Sequence, residues 1–254
     1  MLDLQKASMW KRISAFLFDF IMLSIAAVLF AWGLSAVLGY DGYSQTVTDS
    51  YQRYGEEYGV ELHITQTEYE KLPEEEARKV DAAYAALNAD EKALYAHQMM
   101  LNLSIVIISL GLLFAYLILE FFVPLRFGDG QTLGKKIFGV GLMKVEGIKV
   151  NAVTMFIRAI LGKYTIETMI PVLIILMIYW GTIGIVGPIV IGLILITEIV
   201  IMAATPTNSL IHDLLASTVA IDEASQKIFT TPEEMAAFKA EMAAEIAQRE
   251  KDTY

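Results

Sequence analysis

The amino-acid sequence predicts an all-α, polytopic transmembrane helical bundle of four spans, with a small cytoplasmic β-hairpin and an extracytoplasmic helical insert. Two observations predict this fold class. Of the 254 residues, 56% are hydrophobic, and the mean hydropathy of +0.51 is higher than soluble domains show. The apolar residues also stand in blocks long enough to cross a hydrocarbon core, which takes about 20 residues of helix.

The first block predicts that residues 1–38 are an N-terminal lead and the first span. Trp10 stands beside the basic pair Lys11 and Arg12, as is typical of a membrane interface. The apolar run that follows is longer than that of a cleaved signal peptide, which has about 7–15 residues, and Asp19 interrupts it. We therefore expect a retained transmembrane helix.

The next segment, residues 39–100, is predicted to be an acidic, extracytoplasmic insert of two or three short helices. It contains five basic and thirteen acidic residues. Thr65 and Glu68 have the spacing of a capping box, and Pro73 followed by three glutamates is typical of a first helical turn.

The second half of the chain is predicted to contain three further spans. The second span is 101–125. A basic loop follows over 126–164, with a hairpin that pairs Phe138–Val145 with Ile148–Val150. Its last part, 151–164, is predicted to be an interfacial helix or the lead-in to the third span. The Gly- and Pro-containing segment 181–188 divides the apolar block 165–204 into the third and fourth spans; the alternative is one span with a re-entrant segment.

The polar tail, residues 205–254, is predicted to contain an amphipathic helix. Thr231 and Pro232 are typical of a helix start. An apolar stripe follows, formed by Met235, Phe238, Met242 and Ile246. This helix packs on its own protein or binds a partner.

Charge predicts the orientation and excludes several classes of function. Residues 126–164 contain seven basic and two acidic residues, and positively charged loops stay in the cytoplasm. Four spans then place both termini inside. The absence of Cys excludes disulfides and thiol chemistry. The net charge of −10 argues against a nucleic-acid partner.

Three segments together resemble the RDD family of bacterial membrane proteins. They are Trp10–Ala15 followed by Asp19, the loop Gly130–Gly147, and the segment Leu210–Val219. The resemblance implies that Arg12, Asp19 and Asp213 are the arginine and the two aspartates for which the family is named. It also implies a bacterial inner-membrane location and suggests transport, since cation/proton antiport has been proposed for some members.

Three acids in the apolar blocks are the candidate ion- or proton-binding residues. Counting along antiparallel spans places Asp19, Glu120 and Glu198 at a similar depth in the cytoplasmic leaflet. Since an acid at the centre of a span costs about 2.5–3.5 kcal/mol, we expect such acids to pair with bases or to bind a cation or proton.

The alternative is a purely structural charge network. In that network the basic side chains of Arg12, Arg158 and His212 neutralise Asp19 and its neighbours. Asp213 caps the segment that follows it, or pairs with Arg12 or Arg158. The functional interpretation instead expects the acids to lie together in a low dielectric, which raises their pKa values so that one of them exchanges a proton near neutral pH.

The loop Gly130–Lys136 superficially resembles a phosphate-binding loop. Its glycines are separated by three residues instead of four, and no Ser or Thr follows the lysines, so the motif does not fit. We expect a tight turn in which Lys135 and Lys136 face anionic lipid headgroups. No cofactor and no metal site are predicted.

Two functions are compatible with these patterns. The first is a transporter, or a transport component, that couples a small cation to protons. Four spans are few for a transport pathway, so we expect the protein to form a homo-oligomer or to bind a membrane-protein partner. The lipid bilayer is the other predicted partner. The second is a non-catalytic scaffold or accessory protein that binds partners through its insert and tail helix. An enzyme is not expected.

Overall fold

The computed structural model describes residues 4–252, without the side chains of residues 246 and 249–252. In chain order its elements are α1 (Met9–Leu38), α2 (Tyr40–Tyr58), α3 (Gln66–Tyr69), α4 (Glu74–Ala89), α5 (Glu91–Phe127), α6 (Leu133–Ile137), β1 (Val140–Lys144), α7 (Ala152–Tyr179), α8 (Val186–Ala204), α9 (Ile211–Leu215), β2 (Thr218–Asp222) and α10 (Pro232–Asp252). The ends of the predicted segments at residues 1–3 and 253–254 lie outside the described residues.

Four helices, α1, α5, α7 and α8, are long and apolar enough to cross a membrane. Their apolar side chains are largely exposed; Leu29 and Ile199, for example, are each about 60% accessible. A helix that is apolar all round and unburied by its own protein fits a lipid environment. The predicted class, an all-α multi-pass membrane protein, is confirmed.

The described chain consists of two compact units, and one of them is Val28–Gly111. Within this unit α2 packs on α4 around a small apolar core of Leu62, Val80 and Ala83. The capping box of Thr65 and Glu68 is present at the start of α3. Helix α5 begins at Glu91, so the insert continues directly into the second membrane helix.

The other unit contains the small sheet, which corrects the predicted hairpin. Strand β1 pairs antiparallel with β2, whereas residues 148–150 form no strand and make isolated bridges, from Lys149 to Met143 and from Ile148 to Phe229. Strand β2 has four buried positions, and it lies beyond the fourth membrane helix in sequence. Sequence patterns indicate pairing only between segments that are close along the chain, so they could not predict that β2 is the partner of β1.

The N-terminal lead joins the same sheet. The N–H of Asp222 donates to the carbonyl of Gln5 at 2.9 Å, and Lys6 bridges to Ile221. Lys11 also forms an ion pair of 2.5 Å with Asp222. The residues before α1 and those after α8 are therefore held together.

The third membrane helix is longer than predicted. Helix α7 runs without a break from Ala152 to Tyr179. Of the two alternatives for residues 151–164, the structure therefore shows the lead-in to the third span and not a separate interfacial helix. The α7 segment Ile157–Met169 is a π-helix, as is Leu117–Phe122 within α5. π-Helical turns are rare in proteins, and those that occur often lie at functional sites.

The tail helix α10 begins where the sequence indicates. Thr231 accepts a hydrogen bond from the N–H of Glu234 at 3.2 Å. Phe238 packs on Phe229 with ring centroids 5.4 Å apart, while Met242 remains 38% exposed. The side chain of Ile246, the last member of the predicted stripe, lies outside the described residues.

Candidate functional site

Asp19 is held by neutral hydrogen-bond donors at the start of α6. Its carboxylate accepts a hydrogen bond from the hydroxyl of Thr132 and one from the backbone N–H of Gly134 at 2.7 Å. Gly134 is needed here because a Cβ atom would collide with the backbone of Ala15 and lie 3.0 Å from Asp19. The Gly-rich loop thus brings its backbone against α1.

Glu120 lies beside Asp19 but has a basic partner of its own. The carboxylate of Glu120 is close enough for its charge to act on Asp19, and it forms an ion pair of 2.7 Å with Lys163. Glu120 is only 5% exposed. Both residues of this pair stand on π-helical segments, so these wide turns position the charges.

Arg158 and Asp213 form the most deeply buried ion pair. Each side chain is 2% exposed, and the guanidinium Nη2 lies 2.9 Å from Oδ1 of Asp213. The hydroxyl of Thr218 donates to the same oxygen at 3.0 Å. Burial is the largest single influence on the pKa of Asp213 and raises it, but Arg158, His212, Lys135 and the Thr218 hydroxyl together outweigh burial and hold this pKa well below its usual range.

His212 pairs with Glu167. Its Nδ1 lies 2.7 Å from Oε2 of Glu167, and its backbone N–H donates to Oε1 at 2.8 Å. Burial is the largest influence on the pKa of His212 and lowers it, while the carboxylates of Asp213 and Glu167 act in the opposite direction. Gly162 on α7 permits this contact, since a Cβ there would lie 2.6 Å from that of His212.

In the structure the three predicted bases bind groups other than Asp19. Arg12 donates to the backbone carbonyls of Thr207 and Asn208, at 3.3 and 2.7 Å. Because Arg158 and His212 pair with other acids, none of the three predicted bases forms an ion pair with Asp19 among the described residues. The predicted pairing of Asp213 with Arg158 is present.

Glu198 is the third predicted acid, and it lies in different surroundings. The charges that act on it come from Glu167 and Asp213 and not from Asp19. The backbone N–H of Ile211 approaches it, but within the described part of the chain neither shielded carboxylate oxygen accepts a hydrogen bond of ordinary geometry. Of the three predicted acids, Asp19 and Glu120 are therefore near enough to interact, and Glu198 lies apart from them.

The headgroup role predicted for Lys135 does not fit its position. Lys135 is only 9% exposed, and its Nζ has no hydrogen-bond partner among residues 4–252 whose side chains are described. The reason is that α6 turns this side chain inward, toward Glu120 and Asp213. Lys136, the next residue, is exposed and stacks over the ring of Phe127 at 4.0 Å.

Three residues of the site were not among those predicted from the sequence: Thr132, Lys163 and Glu167. The sequence holds a signal for two of them. Charged residues follow one another at intervals of five and four in a largely apolar helix: Arg158, Lys163 and Glu167. Such intervals place the three charged side chains on the same side of a helix. For Thr132 there was no such signal.

Together the fold and the buried charges define a class: a multi-pass membrane protein with ionisable side chains inside its membrane helices. The chain belongs to the RDD family, because the model of that family matches residues 6–217. The predicted resemblance is confirmed. No curated protein and no solved structure matches the chain.

Proposed function

We propose that this RDD-family membrane protein is a transporter, or part of one, that couples a small cation to protons. The observation that carries the proposal is the state of Asp19. Its carboxylate lies in a membrane helix and is bound by the neutral donors Thr132 and Gly134, without an ion pair to any described basic residue. Acids inside spans are costly and mark ion and proton pathways.

In this proposal the three acids have different roles. Asp19 is the main site for a cation or proton, because a carboxylate without a fixed cation can accept a mobile one. Glu120 adds negative charge beside it while Lys163 keeps Glu120 in place. Glu198, which forms no ion pair with a described residue and is approached by the backbone N–H of Ile211, is a second proton-accepting group.

The test is reconstitution of the purified protein in liposomes that contain a pH-sensitive dye. Addition of Na⁺, K⁺ or Li⁺ is expected to move protons with the wild-type protein and not with Asp19→Asn. The matched control is Asp129→Asn, the same change in an exposed acid whose side chain is 48% accessible. Exchange that persists in a folded Asp19→Asn protein contradicts the role of Asp19, and no exchange by wild type contradicts transport.

We also propose that the protein lies in a bacterial inner membrane with both termini in the cytoplasm. Two observations support this orientation. The loop that contains β1 carries a strong excess of basic residues, and Arg12 binds carbonyls just after α8. The natural absence of Cys allows a direct test: Lys136→Cys is expected to resist an impermeant maleimide added to cells, and Glu57→Cys to react.

A scaffold or accessory role remains the second proposal. One observation favours it: residues Val28–Gly111 form a compact unit with an apolar core of their own, which a pathway through Asp19 does not require. A photo-crosslinking residue at Tyr58 in α2 tests this role. Crosslinks to a second copy or to another membrane protein, together with no cation exchange in liposomes, support the scaffold over the transporter.

A further inference from the structure

Lys135 is a buried base of the charged cluster that forms no ion pair with any described residue. Its ammonium group is buried, and no described residue accepts a hydrogen bond from Nζ. The other buried bases have partners: Arg158 binds Asp213, and Lys163 binds Glu120. A buried ammonium without an acceptor is strongly unfavourable.

The charges that surround Lys135 come from four helices. Two basic residues on α7, Arg158 and Lys163, repel a proton on the amine, while Glu120 on α5 and Asp213 on α9 attract it. Asp19 on α1 is also within range. Each acid on α5 and α9 is already paired with one of those two bases, so neither is available to Lys135.

This arrangement makes the amine easy to deprotonate. Burial is the largest cause, and with the repulsion by Arg158 and Lys163 it lowers the pKa of Lys135 from 10.5 to about 7. A lysine exchanges protons near neutral pH only when it is buried or beside other cations, and Lys135 meets both conditions. Its backbone N–H also contacts the Thr132 hydroxyl that binds Asp19.

We infer that Lys135 carries the proton that is exchanged for the cation at the site of Asp19 and Glu120. The inference rests on the proposed function and names a different proton carrier, an amine in place of a carboxylate. A cation and the ammonium group compete for the same negative charge. Binding of one cation therefore releases one proton, as Lys135 changes from R–NH₃⁺ to R–NH₂.

The first measurement uses the wild-type protein in detergent and needs no variant. Binding of Na⁺ is followed by isothermal titration in two buffers of different ionisation enthalpy, which counts the protons released. We expect about one proton per cation at pH 6 and none at pH 8.5, with an affinity about tenfold weaker at pH 6. Repeating the titration with gluconate in place of chloride identifies the bound ion.

The variants then assign the proton to Lys135. Lys135→Met is expected to bind Na⁺ at pH 6 as tightly as wild type does at pH 8.5, and to release no proton. Lys135→Arg keeps the positive charge and is expected to bind weakly at both pH values. The matched control is Lys136→Gln, a change in the exposed neighbour, which is expected to behave as wild type.

The possible outcomes separate this inference from the proposed function. Proton release that persists in Lys135→Met means that a carboxylate carries the proton, and it overturns the inference while transport stands. The same holds if wild type binds Na⁺ equally at both pH values. If wild type binds no cation, or if binding follows chloride, the proposed function fails and the inference fails with it.

Discussion

Both compact units bury apolar side chains, but they differ in where their ion pairs lie. The unit of residues Val28–Gly111 buries Leu62, Val80 and Ala83 and leaves ion pairs such as Arg78–Glu74 in water, with side chains 76% and 83% exposed. The other unit buries Arg158 with Asp213, each 2% exposed. The comparison shows where charge has structural consequences: a pair in water is screened, and a buried pair is not.

The apolar core and the buried charges contribute in different ways. The core around Leu62 stabilises the packing of α2 on α4 through shape and hydrophobicity, and we assign none of its side chains to ion or proton exchange. A buried charge has to be paired, or it has to change its protonation state. Asp19, Glu198 and Lys135 form no ion pair among the described residues, and these are the groups that we assign to ion and proton exchange.

The largest effect is expected when one member of the buried pair is removed. Arg158→Met leaves the carboxylate of Asp213 buried without its counter-charge, which costs about 3–5 kcal/mol. We expect a large fall in the melting temperature in detergent or loss of folded protein. The double variant Arg158→Met with Asp213→Leu is expected to recover much of the loss, because no uncompensated charge remains; equal damage in both proteins argues against this account.

A smaller effect is expected in the apolar core of the insert. Leu62→Ala removes a side chain that is 3% exposed and leaves a cavity between α2 and α4, at a cost of about 2–3 kcal/mol. Hydrogen exchange within residues 40–89 should increase, while cation binding at the Asp19 site stays as in wild type. A loss of binding would mean that the two units are energetically coupled.

The next effect depends on pH and concerns Lys135. Its pKa in the folded protein is about 7, below its ordinary value of 10.5, so between these values the unfolded chain binds more protons. Stability should therefore rise with pH across this window, by about 1 kcal/mol from pH 7 to pH 8. Thermal unfolding in the absence of cations should show this slope for wild type and lose it in Lys135→Met.

The smallest effect is expected for the exposed pair of α4. Arg78→Ala breaks its ion pair with Glu74, one turn earlier on the same helix, and solvent screens both charges. No measurable change in melting temperature is expected at physiological salt. A clear destabilisation would show that this surface is covered by lipid or by a partner, which would favour the scaffold function.

Much of the membrane architecture could be predicted from the sequence because it depends on composition along the chain. The apolar blocks place the four membrane helices, and Gly- and Pro-containing turns separate them. The third helix begins at Ala152, inside the segment predicted as a basic loop. The sequence did not decide this start because Arg158 and Lys163 are also typical of an interfacial segment. In the structure these charges face partners inside the protein.

By itself the sequence determined the class of membrane protein, the family, and the presence of Asp19, Glu120 and Glu198 in apolar helices. Only the tertiary structure decided which charges meet. Arg158 and Asp213 are 55 positions apart, and Asp19 and Gly134 are 115 apart, so no helical or strand period relates them. For the same reason the sequence could not show that Lys135 points inward while Lys136 points to the outside.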